Sequence, residues 1–309
     1  MNFRILICAL LLLAQSAGAQ KLPALTIGEG EVKSLPAGTH SFSKIDIHSG
    51  GMLIIESRSS DWCILDSKGD VNIHGTIQYA NFKSGKEPHS ATAPDGTHLT
   101  YTFHEDNLGG NGGNGGNSRS STKYIGAGGQ GASANAGFGS GGGSGGGYNP
   151  NDSIPKRAVK GNDAAGSMGG KIKPPTKAGG GGNGAARDSF GNGGLLYIYC
   201  GGNFNGSSGS IYATGKDAAN GAEGQSMSRN GNDDGPGGGG GSGGAPGSEG
   251  GVIRIKIVGT GTYFPRLMVN GGRGGRGGAG GTGSFGDSSN GMRGEDGKDG
   301  NNGHVDILH

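Results

Sequence analysis

Residues 291 to 303 read GMRGEDGKDGNNG, with glycine at every third position and at none between. A glycine-dense chain shows three-residue periods by accident, but single-glycine triplets held in phase do not follow from composition. Polyproline II geometry has three residues per turn and a rise of about 3.1 Å, so this phasing leaves one bare stripe along an extended helix. Bare stripes let neighbouring helices approach closely enough for backbone N–H···O bonds and for weak but numerous Cα–H···O contacts. The stretch GGRGGRGGAGGTG, residues 271 to 283, carries two glycines per triplet and sets Arg273, Arg276, Ala279 and Thr282 along one edge. GGNGGNGGN, residues 109 to 117, has the same form. The phasing predicts packed polyglycine helices, weighed against disordered glycine loops and a collagen-like trimer. The run from Gly291 has no proline and too few triplets for a collagen helix.

Glycine supplies 76 of the 309 residues, far above its usual share of about 7 %, which argues against an ordinary globular enzyme. Apolar runs such as LLYIYC (195 to 200) and GGVIRIKIVG (250 to 259) have no place in a linker, so part of the chain folds around them. From Leu22 to Phe82, Ile45 and Ile47, Leu53 and Ile55, and Val71 and Ile73 stand two apart between Ser-Gly-Gly, Lys-Gly-Asp and His-Gly-Thr turns, the pattern of short strands. No helical period competes with this reading.

A strand, glycine turn, strand unit then recurs at Asp70–Ala80, Leu195–Thr214 and Val252–Asn270, each followed by a glycine block, and His304–Leu308 forms a last strand. The second and third units start 57 residues apart, and the final strand, counted from Val305, starts 53 later. Such spacing marks a repeat. One hairpin cannot bury its own apolar face, whereas several side by side can. The expected fold is therefore all-β, a β-solenoid or β-sandwich core with packed polyglycine II extensions and almost no helix beyond the leader. The expected segments are a leader over 1–19, an N-terminal β module over 20–108, a glycine block over 109–194 with a mobile loop at about 148–178, and repeated strand units over 195–309.

The leader reading rests on Arg4, the apolar run Ile5–Ala14 and the small-residue site Ala17-Gly18-Ala19. It places the mature chain outside the cell or on its surface, with no membrane span, because no later segment approaches about 20 apolar residues. Beyond the leader only Cys63 and Cys200 remain, and one disulfide or two buried thiols both fit. The net charge of +2 argues against a nucleic-acid partner. A C-terminal collection of cations, including Arg273, Arg276 and Arg293, would favour an anionic surface or be a solvated face.

Catalytic patterns fail on context. The two Gly-Gly-Ser-Gly-Gly stretches at 142 to 146 and 240 to 244 fit G-x-S-x-G but lie between no strand and helix. Asp217 and Glu87 follow Lys216 and Lys86 where a P-loop needs Ser or Thr. His74, His89, His98 and His104 have no tight metal spacing, so neither metal nor cofactor is expected. Tyr197 and Tyr199 share one strand face and read as packing residues. Phe138, Tyr148, Phe190 and Phe285 sit inside glycine blocks and, with the three arginines, are the candidate contact residues.

GGNGGNGGN, GGRGGRGGAGGTG and GPGGGGGSGGAPG (235 to 247) resemble the glycine-rich receptor-binding adhesins at the tail-fibre tips of T-even-like phages. That resemblance implies a distal domain of packed polyglycine II helices that binds a bacterial surface through its loops. Snow-flea antifreeze proteins, also secreted, pack polyglycine helices too; secreted bacterial glycine-rich β-helix proteins are the nearest general type. The expected function is a non-enzymatic adhesin for glycan or another surface polymer. The alternatives are a self-associating matrix or envelope protein and an ice-binding protein.

Overall fold

The computed structural model describes residues 21–56, 62–80, 88–104, 109–115, 118–119, 125–126, 191–227, 238–283 and 289–309. The leader, the loop at 148–178, and Phe138, Tyr148, Phe190 and Phe285 lie outside these residues.

The alternation read from sequence becomes strands that bury every second side chain at Ile45–Ile47, Met52–Glu56 and Val71–Ile73. The first group is β1 (Leu25–Ile27), β2 (Val32–Pro36), β3 (Gly38–Phe42), β4 (Ile45–Ile47), β5 (Met52–Glu56), β6 (Trp62–Ser67), β7 (Val71–Ile73) and β8 (Thr76–Tyr79). Two hairpin strands, β9 (His89–Thr92) and β10 (His98–Tyr101), follow, then the short pair β11 (Ser118–Arg119) and β12 (Ile125–Gly126). The last group is β13 (Leu195–Cys200), β14 (Phe204–Asn205), β15 (Ser210–Tyr212), β16 (Val252–Ile257), β17 (Gly261–Tyr263), β18 (Arg266–Met268) and β19 (His304–Leu308).

Three five-stranded parallel sheets result, in the orders β1-β4-β7-β14-β17, β2-β5-β8-β15-β18 and β3-β6-β13-β16-β19. The chain visits the first, second and third sheet in turn, five times over. The N-terminal strands and the later repeats therefore share the same sheets, through the pairings β6 with β13, β7 with β14 and β8 with β15. The 57-residue spacing is a lateral register, since Leu195 lies beside Val252. The last repeat is one residue shorter than expected, because Val252 pairs with His304.

The strand, turn, strand units are not hairpins. Strands β7 and β8 belong to different sheets, and the glycine between them is a corner. At that corner the backbone of Thr76 bonds to the carbonyl of Gly51 in the preceding coil, and a Cβ on Gly75 would lie 2.3 Å from that carbonyl oxygen. Only glycine lets two successive coils approach so closely there.

Inward side chains stack in like-with-like rows. Ile27, Ile47 and Ile73 line the first sheet, Leu53, Ile77 and Ile211 the second, and Leu65, Ile198 and Ile255 the third, all fully buried. Cys63 and Cys200 join this core as free buried thiols. Cys63 pairs with Leu196, and Cys200 lies four residues further along the same strand, about 13 Å away at 3.3 Å per residue. A disulfide requires Cα atoms within about 7 Å, so the bridge is not formed. Burial pushes the Cys63 thiol up to about 12, which leaves it unreactive.

The third sheet is buried on both faces along its central strands β6 and β13. Its outer residues Trp62, Ile64, Leu195, Tyr197 and Val252 pack under the β9–β10 hairpin with Ala93, Leu99 and Phe103. The Trp62 indole donates to the carbonyl of His89 at 3.0 Å. The Asp95 side chain ties the hairpin tip down, accepting from Lys256 Nζ at 2.7 Å and from the Tyr197 hydroxyl at 3.0 Å.

Between strands of the second and third sheets the chain runs out into glycine segments that hydrogen-bond every third residue. Segment 238–251 is buried throughout. The N–H groups of Gly238, Gly241, Gly244, Gly247 and Gly250 donate to the carbonyls of Ser289, Met292, Glu295, Lys298 and Asn301. Those of Gly239, Ser242, Ala245, Ser248 and Gly251 donate to Gln225, Ala222, Ala219, Lys216 and Ala213, in the opposite chain direction. Gly272, Gly275, Gly278 and Gly281 donate back to segment 238–251, and Gly110 and Gly113 approach it from a further side. A Cβ on Gly244 would stand 1.9 Å from the carbonyl oxygen of Gly275.

Candidate binding surface

Segment 270–283 lies against segments 213–227, 238–251 and 289–303. Its N–H groups fall into three classes by phase. Those of Gly272, Gly275, Gly278 and Gly281 point into the interior, to segment 238–251. The second class, at Arg273, Arg276 and Thr282, is met by side chains: Asp217 Oδ1 at 2.7 Å, Asn220 Oδ1 at 2.8 Å and Ser226 Oγ at 3.0 Å. The third, at Gly271, Gly274, Gly277 and Gly283, is met by Asn302 at 3.1 Å, Asp299 at 2.7 Å, Asp296 at 2.8 Å and Asn290 at 2.9 Å.

The acidic and amide side chains beside this segment are therefore caps. Each supplies the acceptor that a further glycine segment would have given, so the lattice ends there with its donors satisfied. The missed signal was Asp or Asn at a three-residue period in GEDGKDGNNG, in phase with the glycines.

What projects from segment 270–283 is the row Arg273, Arg276, Ala279 and Thr282, all exposed, as the triplet phase predicts. Arg273 and Arg276 stand one turn apart, about 9 Å by the rise of an extended three-fold helix. Neither guanidinium makes an ion pair among the described residues. Arg293 differs. It sits on the neighbouring segment and pairs with Asp296, which also caps Gly277. The structure thus brings two of the three proposed cations into one row and assigns the third to an ion pair.

A buried carboxylate fixes the bundle to the strand body. Glu249 is 1 % exposed and accepts from the backbone N–H of His104 at 2.7 Å and from Asn301 Nδ2 at 3.1 Å, while its own N–H donates to Asn192 Oδ1 at 3.0 Å. Burial, with the Glu249 charge nearby, raises the pKa of the Tyr101 phenol. At the hairpin, burial alone would raise Asp95, but hydrogen bonds from Lys256, Thr97 and Tyr197 outweigh it and hold the carboxyl at about 2. Burial and the facing Asp95 push the Tyr197 phenol up to about 12. Both clusters join parts of the fold. Among the described residues no three His, Cys, Asp or Glu side chains gather as metal ligands, and no helix is long and apolar enough to cross a membrane.

No family model, curated protein or solved structure matches the chain.

Proposed function

We propose that the protein is a non-enzymatic secreted or cell-surface adhesin: a β-solenoid carrying a bundle of polyglycine II helices whose exposed side chains bind glycan or another surface polymer. The solenoid reading is supported by three parallel sheets that each take every third strand of the body. The polyglycine II reading is supported by hydrogen bonds at every third residue between segments of both directions.

The observation that carries the binding role is the row of Arg273 and Arg276, exposed and without ion partners among the described residues, on a backbone held by caps and ladders on three sides. A rigid scaffold loses little conformational entropy on binding, which favours recognition by few side chains. The test is binding of the purified protein to glycan arrays and to whole cells, compared with Arg273→Ala/Arg276→Ala. A loss of tenfold or more in the double variant, larger at low salt, supports the reading. Undiminished binding by the variant, or no binding by the parent to any surface polymer, overturns it. A self-associating structural role is the second reading, favoured by the outer edges of β17, β18 and β19, which pair with no further strand among the described residues.

A further inference from the structure

The five coils of the strand body end on two faces. At the rear, β1, β2 and β3 are the outermost strands of the three sheets; at the front the outermost are β17, β18 and β19. Every outermost strand has one side of its backbone unpaired within its sheet. Such an edge is a template for another strand, and folds that avoid association blunt it.

The front face is finished in two ways. Where the glycine segments reach it, the N–H groups of Gly271, Gly274 and Gly277 are closed off by Asn302, Asp299 and Asp296. Where the strands reach it, apolar groups are open. Val258, Tyr263, Phe264, Ile307 and Leu308 are 61, 64, 39, 37 and 41 % exposed. Ile307 belongs to the core-facing row, beside fully buried Ile255. Leu267 and Val305 continue core rows as well, and both are only partly buried. The core of the last coil thus runs out to the front face. At the rear, Val32 is 58 % exposed in the outward row and Leu35 is partly buried, while Lys33 and His40 take the positions beside core Leu53 and Leu65.

We infer that the front face of one molecule docks on the rear face of a second copy, forming open head-to-tail filaments. The contact repeats one made four times inside each molecule, where every coil lies on the one before in parallel register. Each front strand would meet the rear strand of its own sheet, β17 on β1, β18 on β2 and β19 on β3. Directions are matched, and lengths are 3 on 3, 3 on 5 and 5 on 5 residues. A second copy supplies three strands in this cross-section at once. Docking covers Ile307, Tyr263 and Val32, and because the two faces differ, the contact does not close on itself. This inference rests on the self-associating reading and gives its geometry; it stands apart from the adhesin reading, since a chain that fails to bind glycan could still polymerise.

The test is sedimentation of the chain beginning at Gln20, with Tyr263→Lys blocking the front and Val32→Lys blocking the rear. Both side chains are mostly exposed, so neither change disturbs the core. The parent is expected to form species that lengthen with concentration. Each variant alone is expected to be monomeric, and an equimolar mixture to give a dimer and nothing larger, since one good front meets one good rear. Three results would overturn the inference: a parent monomeric at all concentrations, a dimer that persists in Val32→Lys (front-to-front contact), or variants whose mixture stays monomeric. Ile307→Lys is a second front variant and is expected to behave as Tyr263→Lys.

Discussion

The strand body and the glycine bundle belong to one chain but are stabilised by different physics. In the body, rows of isoleucine and leucine are removed from water, and backbone pairing follows from that. In the bundle, segment 238–251 is equally buried, yet its side chains beyond glycine are small or polar except Pro246, and the order comes from backbone bonds at a three-residue period. The comparison teaches that burial need not be apolar. What a buried segment requires is that each N–H find an acceptor and that nothing larger than hydrogen stand where neighbours touch.

The two regions should break in different ways. Ile198→Ala, in the fully buried row of the third sheet, is expected to cost about 2–5 kcal/mol and to lower the unfolding midpoint of the whole body in denaturant titration. Gly244→Ala places a methyl group 1.9 Å from a carbonyl oxygen, and overpacking of this kind costs about 1–3 kcal/mol or more. Its effect should be local. Amides of segments 213–227 and 270–283 are expected to lose protection while those of β13 and β16 keep theirs; equal loss in both regions would remove the distinction.

A third prediction concerns the hairpin. Because the Asp95 carboxyl is held at about 2, below its ordinary value of 3.8, its stabilisation is present above pH 4 and is lost as pH falls towards 2. The shift corresponds to about 2 kcal/mol at most. Trp62, the one tryptophan, lies under the hairpin and reports the change. Its emission should move to the red between pH 4 and 2 in the parent, and Asp95→Asn should show the change already at neutral pH. The smallest effect is expected at the caps. Asn220→Ala leaves the Arg276 N–H to water and should cost about 0.5–1.5 kcal/mol, read as faster exchange at that amide alone.

Much of this was legible in the sequence. The alternation at Leu53 and Ile55 and the 57-residue spacing gave strands and repeat, because burial on one face and lateral register leave direct periodic traces. The triplets from Gly291 gave the segment geometry for the same reason. Three features were not read. The corner at Gly75 resembles a hairpin turn, since a strand, glycine, strand sequence does not say whether the strands pair with each other or with the coils before them. The β9–β10 hairpin has little apolar alternation of its own, although Pro94-Asp95-Gly96 is a turn signal and Gly96 has φ +83°. The caps are hidden in the sequence because Asp and Asn between glycines look like solvated surface until their phase is compared with that of the segment beside them. Of the candidate contact residues, Arg273 and Arg276 followed from phase alone. The pairing of Arg293 with Asp296, three residues on, depends on side-chain geometry that phase does not specify.

The central claim is that the glycine segments are a folded lattice, and native-state hydrogen exchange resolved to single amides tests it most directly. Gly241, Ser242, Gly244, Ala245 and Gly247 each donate to a neighbouring segment, and their amides are expected to exchange as slowly as those of Ile198 and Ile255 in the sheets. Exchange of these glycine-segment amides at the rate of an unstructured chain, with the strands still protected, would contradict it.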